Sequence, residues 1–123
     1  MAPTTPTFVP GSPTWSAVFQ ELIVNKGCNG GPTCHASSAG GNLVMQTKDQ
    51  SYMALVGVKA MGTPCAASGA TRVVAGDPAT SLIVNKVEAA MPTCGTHMPP
   101  GGNLSATEIA QLKAWIMAGA KND

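Results

Sequence analysis

Apolar side chains recur at helical spacing in four stretches of the chain, and nowhere do they alternate with polar ones over a length that would suggest a strand. In the first stretch Trp15, Val18, Phe19, Leu22 and Ile23 share one face. Ser12 as cap and Pro13 at the first helical position predict its start, and Lys26-Gly27 its end. The second, "DQSYMALVGVKAM" from Asp49 to Met61, predicts a short helix with Tyr52, Leu55 and Val56 turned inward, although Gly57 is a poor helix former. In the third, "GDPATSLIVNKVEAAM", Asp77 and Pro78 read as cap and first turn and Leu82, Ile83 and Val87 as the buried face; the helix stops before Pro92. The fourth opens on Ser105-Ala-Thr-Glu108, a capping box, runs through Ile109, Leu112, Trp115 and Ile116, and meets Gly119 at its end. The predicted fold class is therefore mainly α, about four short helices joined by long Gly/Pro-rich loops. The word "LIVNK" occurs at both 22–26 and 82–86, but its flanks differ and no internal repeat is expected.

Composition changes this picture in one respect. Two Trp, two Phe and one Tyr are few for a 123-residue chain that must offset its conformational entropy by burying apolar surface, while 14 Gly and 10 Pro mark much of it as loop. A small domain of this kind depends on something besides its own side chains, either an apolar cofactor or covalent staples. Residues 1–11, rich in Thr and Pro, read as a flexible linker or tether, which leaves 12–123 as the domain. The opening residues lack the basic and apolar regions of a signal peptide, so either an export signal has been removed or there was none.

Charge excludes more than it suggests. Seven basic and six acidic residues, scattered without a run of one sign, leave no nucleic-acid footprint. The longest apolar words, such as "LIV", are far too short to span a bilayer, so no transmembrane segment is expected.

The chemistry lies in four cysteines and two histidines. Four cysteines allow three disulfide pairings, a metal site or covalent attachment of a cofactor. Cys28, Cys34, His35, Cys65, Cys94 and His97 are all competent zinc ligands, but structural zinc sites take paired ligands two to four residues apart, and Cys65 and Cys94 stand alone. A plain framework of Cys28–Cys34 and Cys65–Cys94 bridges satisfies parity, yet it explains neither the thin core nor the histidine directly after Cys34. Haem attachment explains both. Two thiols add across the porphyrin vinyl groups and a histidine directly after the second lies under the iron, as in C-x-x-C-H. Here Cys34-His35 keeps the adjacency, while five residues separate Cys28 from Cys34; Gly30, Gly31 and Pro32 among them suit a bulging turn. In "CGTHMPPGGNLS", Met98 is the candidate second iron ligand, because Pro99 and Pro100 stiffen its loop and leave it no helical face to fill. Met45, Met53, Met61, Met91 and Met117 are read as core filler, and His97 as a competing ligand or a hydrogen-bonding residue.

Three stretches, "CH" at 34–35, "MPPGGNLSATEI" at 98–109 and "LKAWIMAGA" at 112–120, carry a resemblance to class I cytochrome c domains over about residues 13–120, and "RVVAGDPATSLIVNKV" resembles the helix before the methionine loop in bacterial members. The five-residue gap departs from that family's usual two. The resemblance implies the class I cytochrome c fold around one covalently attached haem c, held through Cys28 and Cys34, with His35 and Met98 on the iron. Phe19 and Trp115 then lie where the terminal helices cross near the haem. Cys65 and Cys94 are the pair left over, expected to be bridged in an oxidising compartment; closing a loop of about 29 residues contributes roughly 3–4 kcal/mol in the chain-entropy model. The implied protein is periplasmic or otherwise exported. It passes single electrons between redox partners, is not itself an enzyme, and could use Lys26, Lys48, Lys59 and Lys86 to steer an acidic partner. Two other classes stay open: a haem-based sensor or gas-binding domain, and a haem-free disulfide-stapled interaction module.

Overall fold

The structure, a computed structural model, describes residues 13–30, 35, 43–62, 65–99 and 102–123. Ser12, Cys34 and Pro100, together with the linker read over 1–11, lie outside the described residues. Helix α1, Trp15–Val18, continues directly into a π-helical segment, Phe19–Val24. Its cap is Thr14 rather than Ser12. The Thr14 hydroxyl accepts from Ala17 N at 3.1 Å, and its extended backbone leaves Pro13 outside the helix instead of in its first turn. The wider π winding is carried on by Cys28, whose N–H donates to Ile23 O at 2.9 Å. The start of the cysteine loop is thereby fastened to the helix.

Helix α2, Lys48–Leu55, is shorter than its sequence predicts. Val56 is extended and Gly57 has φ of +75°, a conformation no helix accommodates, so the chain leaves the helix there instead of reaching Met61. It turns to pair with the 71–73 segment. Val56 bridges Val73, Lys59 bridges Thr71, and Arg72 N donates to Val58 O at 2.8 Å. Helix α3, Cys65–Ser68, has no signal in the apolar pattern. Asp77 and Pro78 do start a helical turn, but a separate 3-10 one, Pro78–Thr80. Ser81 interrupts it in extended conformation, its buried hydroxyl accepting from Val74 N at 2.8 Å and donating to Asp77 O at 2.9 Å. Helix α4, Leu82–Glu88, begins only after that break. Helix α5, Ala106–Met117, carries the capping box as predicted: Ser105 Oγ accepts from Glu108 N at 3.1 Å and Glu108 Oε1 from Ser105 N at 2.7 Å. Among the described residues the chain is mainly α, with only isolated bridges in place of a sheet. The two "LIVNK" words adopt different structures, one closing the π segment and the other inside α4, which agrees with their being unrelated.

The core forms where the terminal helices cross. Trp15 and Trp115 stack with ring centroids 4.6 Å apart, and Tyr52 meets both edge-on. Each polar edge is satisfied: Trp15 Nε1 donates to Lys48 O, Trp115 Nε1 to Lys121 O, and the Tyr52 hydroxyl to Ala120 O. Val18, Leu22, Leu55, Leu112 and Ile116 are among the residues that pack with them in the buried cluster. Of the five methionines read as filler, only Met45 is buried. Met53, Met61, Met91 and Met117 are exposed, because the core is narrow and they project from its solvent side or its loops. No helix is long and apolar enough to cross a membrane among the described residues.

Lys26 and Glu108 pair at 3.0 Å, linking the end of the π segment to the first turn of α5. Burial alone raises the pKa of the Glu108 carboxyl, but the Ser105 backbone N–H and the Lys26 ammonium outweigh it and hold the group below its ordinary value. A carboxylate with a depressed folded pKa stabilises above its unfolded value, and that contribution is lost as pH falls through the folded one. Glu108→Gln is therefore expected to be less stable at neutral pH and to lose less on acidification. Urea titrations at descending pH test this; parallel losses in both proteins would remove Glu108 from the acid response.

Candidate functional site

A cavity of about 440 Å³ opens between the terminal helices, α4 and the 93–99 loop, within the roughly 300–1,000 Å³ that ligand pockets occupy. Its apolar wall is built by Val18 and Leu22 from the first helix, Ile83 and Val87 from α4, and Leu104 and Leu112 at α5. Of Leu82, Ile83 and Val87, read as the buried face from the sequence, Leu82 is buried and the other two are half-buried, and all three border this space; Val84, away from the cavity, is the other buried residue of α4. Cys28, His35 and Met98 all border the cavity.

His35 is held from three sides. Its N–H donates to Cys28 O at 2.8 Å, its carbonyl accepts from Met45 N at 2.7 Å, and its Nδ1 lies 2.8 Å from Leu43 O. The first of these bonds closes the loop at its base, so Cys28 and His35 meet despite the residues inserted between the cysteines. The Leu43 carbonyl can only accept, so Nδ1 carries the proton and the lone pair of the neutral ring falls on Nε2. Metal-ligating histidines are oriented in this way, by donation from the ring nitrogen that does not bind. Asn29 Nδ2 donates to Met45 O at 3.0 Å and ties the same loop to the segment after His35.

Met98 sits on a loop clamped to α4. Its N–H donates to Lys86 O at 2.7 Å, and the Lys86 ammonium donates to Thr96 O at 2.9 Å and Cys94 O at 3.2 Å. Asn85 Oδ1 accepts from Thr93 N at 2.9 Å, and Cys65 and Cys94 are joined by a disulfide with their Cα atoms 5.2 Å apart. That bond removes both sulfurs from any thiolate metal set. Gly95 has φ of +68°, a backbone conformation that favours glycine, and a Cβ there would push the Lys86 ammonium from its place over the loop.

His97 points elsewhere. Its Nδ1 lies 2.7 Å from Ala89 O and its Nε2 3.0 Å from Gly102 O, so both ring nitrogens are taken by carbonyl oxygens, and the ring does not border the cavity. It braces the loop that carries Met98. Phe19 and Trp115 also lie off the cavity wall: the aromatic ring that borders it is Trp15, with Phe19 at 6.0 Å and Trp115 stacked on it. Cys34 lies outside the described residues. Of the four steering lysines, Lys26 pairs with Glu108, Lys59 donates to Gly69 O, and Lys86 turns its ammonium onto the loop carbonyls. Lys48 contributes its backbone carbonyl to Trp15.

The apolar pattern does not reveal Trp15 as the wall aromatic, Leu43 as the histidine's acceptor, Lys86 as the clamp or Arg72 as a buried cation on the wall. Comparisons of the chain with protein-family models, curated proteins and solved structures returned no match.

Proposed function

We propose that the cavity receives one haem c, covalently attached through Cys34 and Cys28, and that the chain is an exported class I cytochrome c domain passing single electrons between redox proteins. The observation that carries this reading is the meeting of Cys28 and His35 with Met98, 63 residues further along the chain, at one apolar cavity. When bound, haem supplies a one-electron iron couple whose potential the axial ligands and the surrounding dielectric set. The chain's own residues do the rest. Leu43 holds His35 in the tautomer that directs Nε2 away from its carbonyl, and the α4 clamp presents the Met98 thioether from the loop. Val18, Leu22, Ile83 and Leu112 keep water from the cavity. His35 and Met98 would both hold the iron, which would leave no open position for a substrate and make the domain a carrier rather than an enzyme. The buried Cys65–Cys94 disulfide suits the oxidising compartment in which thioether attachment takes place.

Intact mass of the protein made in a haem-attaching host, after denaturation and acid–acetone extraction, tests the reading. One haem is expected to stay with the chain, and Cys28→Ala is expected to keep it through a single thioether. A red protein that surrenders all its haem would overturn covalent attachment. A colourless one would leave the disulfide-stapled module.

A further inference from the structure

Charge is distributed unevenly along the chain. Residues 27–47, 60–71 and 89–107 hold all four cysteines, both histidines and Met98, and among them there is no Asp, Glu, Lys or Arg. All seven basic and six acidic residues lie outside these three segments. The cavity opens through the same three. Of the described residues that border it, those exposed to solvent are Gly27 from the first segment, Met61 from the second, and Gly95 and Thr96 from the third. The lysines nearest this rim in the chain are turned back into it: Lys26 pairs with Glu108, Lys59 donates to Gly69 O at 3.3 Å, and Lys86 donates to Cys94 O and Thr96 O. The rim is therefore an uncharged ring with one large apolar side chain, Met61, 56 % exposed. Of the exposed methionines Met53, Met61, Met91 and Met117, it is the one that borders the cavity, and its unbranched thioether adapts to varied contacts.

A rim of this kind excludes one mode of association. Steering by charge needs a field of one sign at the contact, and an acidic partner finds no such field in the side chains of this rim. A face of one sign would also repel its own copy. An uncharged face does not, and a net charge of +1 adds little repulsion between two whole chains. The fitting partner brings an uncharged patch of its own, and the surface known to meet that requirement is this same rim. We infer that the rim is a docking face for a second copy of this chain, so that two cavities meet mouth to mouth. The inference rests on the haem reading above: one electron passes from a reduced copy to an oxidised one, with no proton moved and no bond made or broken. The protein then relays electrons among its own copies. Its contact belongs to the small, transient class of electron-transfer encounters.

The test uses holoprotein whose attached haem has been established by mass, so that failure of the haem reading appears before this one is examined. In half-reduced samples, saturation transfer between the haem methyl resonances of the two oxidation states gives the rate of electron self-exchange. A second-order rate above about 10⁵ M⁻¹ s⁻¹, the lower end of unsteered association, is expected, and it is expected to stay level between low and high salt. Met61→Glu and Met61→Lys are both expected to exchange about twofold more slowly than Met61→Gln at low salt and to match it at high salt, since in each case like charge faces like across the contact. Lys121→Glu, exposed and off the cavity, reverses the net charge and is expected to keep the wild-type rate. Amide shifts of the fully reduced wild-type protein give a readout independent of exchange: those of Gly27, Met61, Gly95 and Thr96 are expected to move on dilution, and those of Met53 and Met117 are not. A rate below the threshold leaves the rim to a foreign redox protein, and opposite responses of Met61→Glu and Met61→Lys mean that residue 61 meets a charged surface. Either result overturns the inference, as do rim amides that do not move.

Discussion

If the proposed haem is bound, replacing Met98 with alanine is expected to abolish the weak far-red sulfur-to-iron charge-transfer band of the oxidised protein, lower its reduction potential, and open the reduced iron to carbon monoxide. The expectation rests on geometry. Met98 borders the cavity while its neighbour His97 has both ring nitrogens against the carbonyls of Ala89 and Gly102. Thioether ligation raises the potential of His-ligated haem relative to a second imidazole, so loss of the sulfur must show in the potential as well as the band. His97→Ala is expected to leave the band in place and to cost stability instead, about 1 kcal/mol for the hydrogen bond its ring donates to a half-buried loop carbonyl. The opposite pattern, a changed spin state on losing His97 and none on losing Met98, would mean two imidazole ligands and overturn the assignment.

The second large effect belongs to the staple. Converting Cys65 and Cys94 together to serine is expected to lower stability by about 3–4 kcal/mol, the chain-entropy value for a loop of 29 residues. Because Cys94 precedes Met98 on the same clamped loop, the double variant is also expected to bind carbon monoxide faster than wild type. Guanidinium titration and flash photolysis measure the two effects separately. An unchanged denaturation midpoint would show that the 82–98 region holds its shape through hydrogen bonds alone.

What is legible in the sequence divides along the range of the interactions. The capping box of α5 is readable because Ser105 and Glu108 satisfy each other within one turn, and nothing distant is needed. The start of the first helix is misread by two residues, since Ser12 and Thr14 are equally competent caps and only the fold distinguishes them. The second helix is overextended because Val56 and Val58 continue the apolar pattern, while their partners, Val73 and Arg72, lie well downstream. Position 98 stands out for its proline neighbour, a local signal. Arg72 does not, because it reaches the cavity wall through pairing between the 56–59 and 71–73 segments, and a lone arginine before two valines carries no mark of that. Phe19 and Trp15 are neighbours on one predicted face, and it takes the π winding after Val18 to decide which of them meets the cavity.

The clamp on the 93–98 loop takes hold of Met98 by its backbone alone. Lys86 O accepts the peptide N–H, and the other tethers end on Thr93, Cys94, Thr96 and His97. The identity of the side chain at 98 is therefore uncoupled from the architecture that delivers it, and every residue with a peptide N–H can occupy the same socket. Selection or design can retune the chemistry at that point, from thioether to imidazole to none, while the scaffold around it stays as it is.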